Sequence, residues 1–248
     1  MQDEFAEADL LSLLKNGVKR SIDLIAHITD YHGGPVTTEY MLTSDLAREL
    51  IEQNYQVEVE YLNRNFANGL TMRRSGRPIK KFGSKRTDVA VLFNHFAPLA
   101  MIEIKTGVKT VRGIAADLIK ITDTIDALKP EFASRVWGAA VFQVHIPGSK
   151  SRYEEAHFKA AIDETMKLIG KGLTNHAKTH PNYNFRLHSL QAANEGYTPR
   201  ELEPDGNGGF VWGQDGHATR YYAVLIKSKI AKPRLPRTIE ELKAYSQT

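Results

Sequence analysis

Hydrophobic positions recur along this chain with two different periods, and the switches between them mark out most of the elements. Over residues 38–53, Leu42, Leu46 and Leu50 repeat at helical spacing, which predicts a helix with one apolar stripe. Over 55–63 the period drops to two: Val57, Val59 and Tyr61 alternate with Glu58, Glu60 and Leu62, the signature of a strand. Residues 84–93 alternate in the same way through Val89, Val91 and Phe93, and a corner at 94–98 leads to a further strand over 99–106. Helical spacing returns over 112–128 in Ile114, Leu118, Ile121, Ile125 and Leu128. The stretch 136–146 is apolar on both faces, as expected of a strand buried between helix layers. Strand, helix, strand at this spacing implies a crossover to a parallel neighbour. The order is helix, three strands, helix, strand: an α/β fold around a small mixed sheet.

Flanking segments are less sharply patterned. Residues 4–31 predict one or two helices bearing Leu10, Leu14, Ile22, Ile25 and Ile28, closed by Gly33-Gly34-Pro35. Ser151-Arg152-Tyr153-Glu154 is a capping box that opens a helix ending near Gly170 and Gly172. Residues 183–190 alternate as a strand, 210–212 with 220–229 predict a hairpin, and the segment between them, together with Asp205-Gly206-Asn207-Gly208-Gly209, reads as turn material. Pro233 and Pro236 precede a short terminal helix that begins at Thr238. The expected organisation is a single domain over 1–248: an N-terminal helical extension (1–35), a core (36–146) and a C-terminal elaboration (147–248).

Composition narrows the class. A chain of 248 residues with 42% apolar content can bury one real core. It shows no repeat, heptad run or low-complexity tract, and no apolar stretch approaches the roughly 18 residues of a membrane span. The N-terminus is acidic and unlike a signal peptide, and the absence of cysteine excludes disulfides and thiolate metal sites, so an intracellular protein with no membrane partner is expected. The net charge of +4 is modest but unevenly placed: Arg73, Arg74, Arg77, Lys80, Lys81, Lys85 and Arg86 crowd a loop-like stretch just before Asp88. The plain reading of such a run is a solvated loop, but its covalent adjacency to the Asp88 site favours contacts with nucleic-acid phosphates. Lys227, Lys229, Lys232, Arg234 and Arg237 form a smaller basic group.

The candidate chemistry lies on the two central strands. A hairpin centred between His95 and Phe96 sets Asp88 opposite Glu103, on the face shared by Met101, Glu103 and Lys105. Residues so paired have Cβ atoms about 4.5–5.5 Å apart. Carboxylate oxygens are hard ligands suited to Mg²⁺, with Mn²⁺ as a substitute. Asp88, Glu103 and the backbone carbonyl of Ile104 supply a partial shell, and Lys105 is placed to neutralise a phosphate or help deprotonate a water. Glu39, on the stripe of the preceding helix, calls for a cationic partner; Glu49 is the alternative carboxylate on that helix. The plainer readings are a turn aspartate, an ion pair on a solvated sheet face and a first-turn glutamate.

Asp88, a fourteen-residue gap, then Glu103-Ile104-Lys105 resembles the signature of the PD-(D/E)XK, or restriction-endonuclease-like, nuclease superfamily. Thr87 stands where the motif has its proline, and the likeness covers about a third of the chain, from Glu39 to Lys120. The resemblance implies a restriction-endonuclease-like αβββαβ core with a small mixed sheet flanked by helices. It also implies an Asp and a Glu binding the catalytic Mg²⁺, and a helix glutamate in the role of Glu39. The D-x-x-K run of Asp117 and Lys120 is similar to one found in some members, which would bring Lys120 towards the substrate. The implied function is a metal-dependent nuclease acting on DNA, an endonuclease by preference, with a homodimer as an option and no nucleotide cofactor. The alternative is a non-catalytic nucleic-acid-binding or assembly module of the same fold. His176 and His180 lack the Glu of a zinc helix and precede Pro181, and Gly148-Ser149-Lys150-Ser151 lacks the first Gly of a P-loop. Trp137 is expected in the core, while Tyr221 and Tyr222 either pack or stack on bases.

Overall fold

The computed structural model describes residues 4–29, 38–66, 84–93, 97–147, 155–204 and 209–230. Arg73, Arg74, Arg77, Lys80 and Lys81 lie outside these residues, as do the capping box at 151–154 and everything after Ile230. The elements are α1 (Glu7–Thr29), α2 (Glu39–Glu52), β1 (Gln56–Leu62), α3 (Asn63–Phe66), β2 (Arg86–Phe93), β3 (Ala97–Lys105), α4 (Arg112–Ala127), α5 (Pro130–Ala133), β4 (Trp137–Pro147), α6 (Glu155–Thr179), β5 (Tyr183–Pro204) and β6 (Phe210–Ser228). The strands form one six-stranded sheet in the order β1-β2-β3-β4-β6-β5. It is mixed: β3 and β4 run parallel across the α4 crossover, and the other neighbours are antiparallel.

Strand alternation sorts the core into two layers. Val89 and Val91 of β2, Ala100, Ile102 and Ile104 of β3, and Trp137, Ala139 and Val141 of β4 pack against α1 and α2. Ala90, Leu92, Met101, Ala140, Phe142 and Val144 point the other way, towards α4 and α6. Burying a side chain of valine to phenylalanine size contributes about 1.5–3 kcal/mol, so a one-residue slip in register would be costly. Gly138 lets α4 approach β4: a Cβ there would lie 2.2 Å from Ile121 Cγ2. Among the described residues no helix is long and apolar enough to cross a membrane.

The N-terminal segment is one helix, within the one or two that its pattern allows. The one-turn helices α3 and α5 are too short to show a period in the sequence. Two expectations need correction. Helix α6 does not stop at Gly170 or Gly172 but continues to Thr179. Each glycine costs roughly 1 kcal/mol within a helix. The buried face of Phe158, Ile162, Ile169 and Leu173 outweighs that. Finally, 210–212 and 220–229 do not pair with each other. Both belong to β6, which pairs with β5 from Tyr183↔Ser228 to Pro204↔Phe210. Gly213 and Gly216 look like turn residues in sequence, but here they lie within a strand. Among the described residues strand β4 accompanies β6 as far as Pro147↔His217, and beyond that point β6 pairs with β5.

Candidate functional site

Pairs Val91↔Ala100, Ala90↔Met101 and Val89↔Ile102 join β2 to β3, and Asp88 and Glu103 are the residues that follow the last of these pairs. The register slips between Val91 and Leu92, on the turn side, away from this end of the ladder. Asp88 reaches across to β3, its Oδ2 accepting from the Ile104 backbone N–H at 2.7 Å. What ties Ile104 to the site is thus its amide.

Glu103 is 1% exposed. Burial pushes its carboxyl up to about 8, against the pull of Lys120 and with the push of Asp88. Lys120, on the inner face of α4, forms an ion pair with Glu103 Oε2 and lies 3.8 Å from Asp117 Oδ1. Its ammonium also donates to the Arg86 carbonyl at 2.7 Å. Lys120, expected to approach a substrate, is therefore turned into the carboxylate cluster. Glu103 Oε1 and Asp117 Oδ2 have no hydrogen-bond partner among the described residues. Asp117, the acid of the D-x-x-K run, sits buried beside Glu103 and Lys105. Burial raises the Asp117 carboxyl against both lysines, and burial likewise raises Asp88 against the Ile104 amide.

Lys105 leaves the end of β3 and meets Glu39 Oε2 at 3.3 Å, while Glu39 Oε1 accepts from the Thr106 backbone N–H at 3.2 Å. Burial pulls the Lys105 pKa down, but Asp117, Glu39 and Asp88 outweigh it and hold the amine above its ordinary value. Glu39 is thus the helix carboxylate that reaches the site. It stands at the first residue of α2, after the Thr38 cap that accepts from the Met41 N–H at 3.3 Å. Its side chain is 42% exposed, so it is not the mid-stripe buried acid that helical spacing suggested; the apolar stripe begins at Leu42. Glu49 faces away and accepts from Asn16 at 3.1 Å and Arg20 at 3.2 Å. It lines a groove of about 770 Å³ with Asp9, Asn16 and Tyr55, and that groove contains none of the site residues.

Two further features escaped the sequence. Glu60 lies between the rungs Val59↔Val89 and Tyr61↔Thr87, opposite Asp88, with φ of 51°, and its charge adds to the upward push on Asp88. A buried chain of hydrogen bonds also clamps the start of β2 to α4. Thr87 Oγ1 donates to Asn63 Oδ1 at 3.0 Å, and Asn63 Nδ2 donates to Thr124 Oγ1 at 3.1 Å. Lys85 and Arg86, the described part of the cationic run, are exposed immediately before Asp88.

Among the described residues, Asp88, Glu103, Asp117 and Glu39 face two ammonium groups, those of Lys105 and Lys120, so acids outnumber bases in this part of the cluster. Among the described residues no group of three or more His, Cys, Asp or Glu side chains is arranged to hold an ion by itself. Mg²⁺ does not require one, since it commonly takes one or two carboxylates and keeps its waters. A buried carboxylate with an open oxygen, next to a second carboxylate on β2, fits such an ion. The other aromatic candidates resolve as packing: Tyr221 is fully buried, Tyr222 stacks on Phe142 at 5.7 Å, and Trp137 Nε1 donates to the Phe5 carbonyl at 3.0 Å. Comparison of the chain with models of protein families, with curated proteins and with solved structures gave no match.

Proposed function

We propose that this protein is a metal-dependent nuclease that hydrolyses phosphodiester bonds of DNA, acting as an endonuclease on a restriction-endonuclease-like core. The order α2-β1-β2-β3-α4-β4, with Asp88 and the Glu103-Ile104-Lys105 run on adjacent strands, supports the fold assignment. One observation carries the functional reading. Glu103 is 1% exposed and keeps an oxygen that no described donor reaches, next to Asp88 and with Lys105 two residues on. Keeping such a carboxylate unsatisfied costs stability, and an arriving cation repays it.

In this reading Asp88 and Glu103 hold Mg²⁺, for which Mn²⁺ substitutes. The ion, when bound, supplies Lewis-acid polarisation of the phosphoryl group. Lys105 is held as an ammonium, so its part is to stabilise charge on the phosphate, and Glu39 with the Thr106 amide fixes where that ammonium sits. Ile104 locks the Asp88 carboxylate through its N–H. Lys85 and Arg86 begin a cationic approach to the site, continued in sequence by Arg73, Arg74, Arg77, Lys80 and Lys81. Each phosphate contact there adds a salt-dependent increment to affinity. A homodimer would present two such sites, one for each strand of a duplex.

The direct test incubates the protein with plasmid and linear DNA in Mg²⁺ or EDTA. Cleavage in Mg²⁺ that disappears in EDTA, and in Asp88→Ala and Lys105→Ala, supports the enzyme. A second reading, a non-catalytic nucleic-acid-binding or assembly module, is favoured by the Lys120–Glu103 pair, which has the form of a structural buried ion pair. DNA binding without cleavage under every divalent ion tried would select it.

A further inference from the structure

We propose, resting on the divalent-ion reading of this same site, that Lys120 is a built-in counter-cation: its ammonium holds Glu103 while no divalent ion is bound and leaves when one binds. Three placements support this. Lys120 comes from α4 and not from the strands that carry Asp88 and Glu103, so its side chain can move without disturbing the β2–β3 pairing. It also has somewhere to go. The Arg86 carbonyl already accepts from it at 2.7 Å, Asp117 Oδ1 is 3.8 Å away, and Asp117 Oδ2 has no hydrogen-bond partner among the described residues. Asp117 lies one helical turn before Lys120 on the same face, so it can receive the ammonium after a rotamer change. Lys105, the other cation of the site, is anchored to Glu39 and needs no displacement.

Electrostatics makes the two cations exclusive. A divalent ion and an ammonium on one carboxylate that is 1% exposed would repel each other with little screening by water. Lys120 therefore competes with the ion it stands in for. The acids stay ionically closed until divalent ion is abundant, and the ammonium released to Asp117 and the Arg86 carbonyl remains beside the site as a cation for an incoming phosphate.

The test compares wild type with Lys120→Met by titration with Mn²⁺ at pH 8, following free Mn²⁺ by electron paramagnetic resonance. Lys120→Met is expected to bind Mn²⁺ at least about tenfold more tightly, a 1.4 kcal/mol gain. Its melting temperature is expected to be lower than wild type in EDTA and to recover with Mn²⁺. A readout in the unaltered protein runs alongside: the rate of lysine acylation, resolved by peptide mapping, is expected to rise at Lys120 when Mg²⁺ is added, since the side chain is only 16% exposed beforehand. Equal or weaker Mn²⁺ binding by Lys120→Met overturns the inference and leaves the divalent-ion site standing, as does tighter binding without any change in Lys120 reactivity. Absence of Mn²⁺ binding in both proteins overturns the inference and the metal reading together.

Discussion

Two acidic clusters lie on opposite faces of the same sheet, and they are closed in different ways. Between α1 and α2, Glu49 accepts from Asn16 and Arg20, Glu52 shares Arg20, and Asp45 accepts from Ser21 Oγ at 2.6 Å. Every buried carboxylate there has its donor. At the end of β3, Glu103 and Asp117 each keep an oxygen that no described donor reaches, and burial pushes both carboxyls up. The first cluster resembles what a fold needs in order to bury charge. The second is under-neutralised, and a fold gains nothing from that. The contrast separates acids whose donors are in place from acids that keep an open oxygen, which under the proposed function would receive a cation.

The comparison can be broken most forcefully through activity. Asp88→Ala and Lys105→Ala are expected to lower Mg²⁺-dependent DNA cleavage by roughly 10²–10³-fold or more, the scale on which losing one electrostatic group of a reaction centre is felt. Glu49→Gln is expected to leave it near wild type. Initial rates on plasmid DNA check both; equal losses in the two clusters would erase the distinction.

A second separation is through pH. Burial pushes the Glu103 carboxyl up to about 8 in the folded chain from an ordinary value of about 4.5, so the folded state holds its proton more tightly than the unfolded one. Its contribution to stability is therefore fully present below about pH 4.5 and is lost as pH rises through about 8. In EDTA, denaturant melts are expected to show stability falling over that window by an amount on the order of a few kcal/mol. Glu103→Gln should flatten the fall, and Mg²⁺ should oppose it in the wild type.

The smallest effect belongs to the closed cluster. Ser21→Ala, which leaves buried Asp45 short of a donor, is expected to cost about 1–3 kcal/mol. Urea melts should find that cost unchanged by Mg²⁺. A Mg²⁺-dependent loss would mean that the two clusters communicate.

How much of this was legible depended on whether a residue's partners came from local pattern or from distant chain. The β2–β3 register from Val91↔Ala100 to Val89↔Ile102 could be read because strand alternation and a short corner fix both face and register, and the bulge falls on the turn side of these pairs. Strand β4 was legible because both of its faces are apolar. Asp117 could not be recognised as a site acid, because its helix spacing to Lys120 is also that of an ordinary surface pair. In the folded chain α4 packs on β4 with Ile121 against Gly138, and the Asp117 and Lys120 side chains lie 9% and 16% exposed. Glu60 was hidden for a different reason: a non-glycine residue at φ of 51° breaks the regular strand geometry that the period-two rule assumes. The full length of β6 was missed because glycines that usually signal turns lie within it.

Mn²⁺ binding measured by calorimetry in wild type, Asp88→Asn and Glu49→Gln tests the central claim most directly. Saturable binding is expected in wild type and Glu49→Gln, with loss in Asp88→Asn. A wild-type chain that takes up no ion, or an Asp88→Asn chain that binds as well as the wild type, would contradict the account.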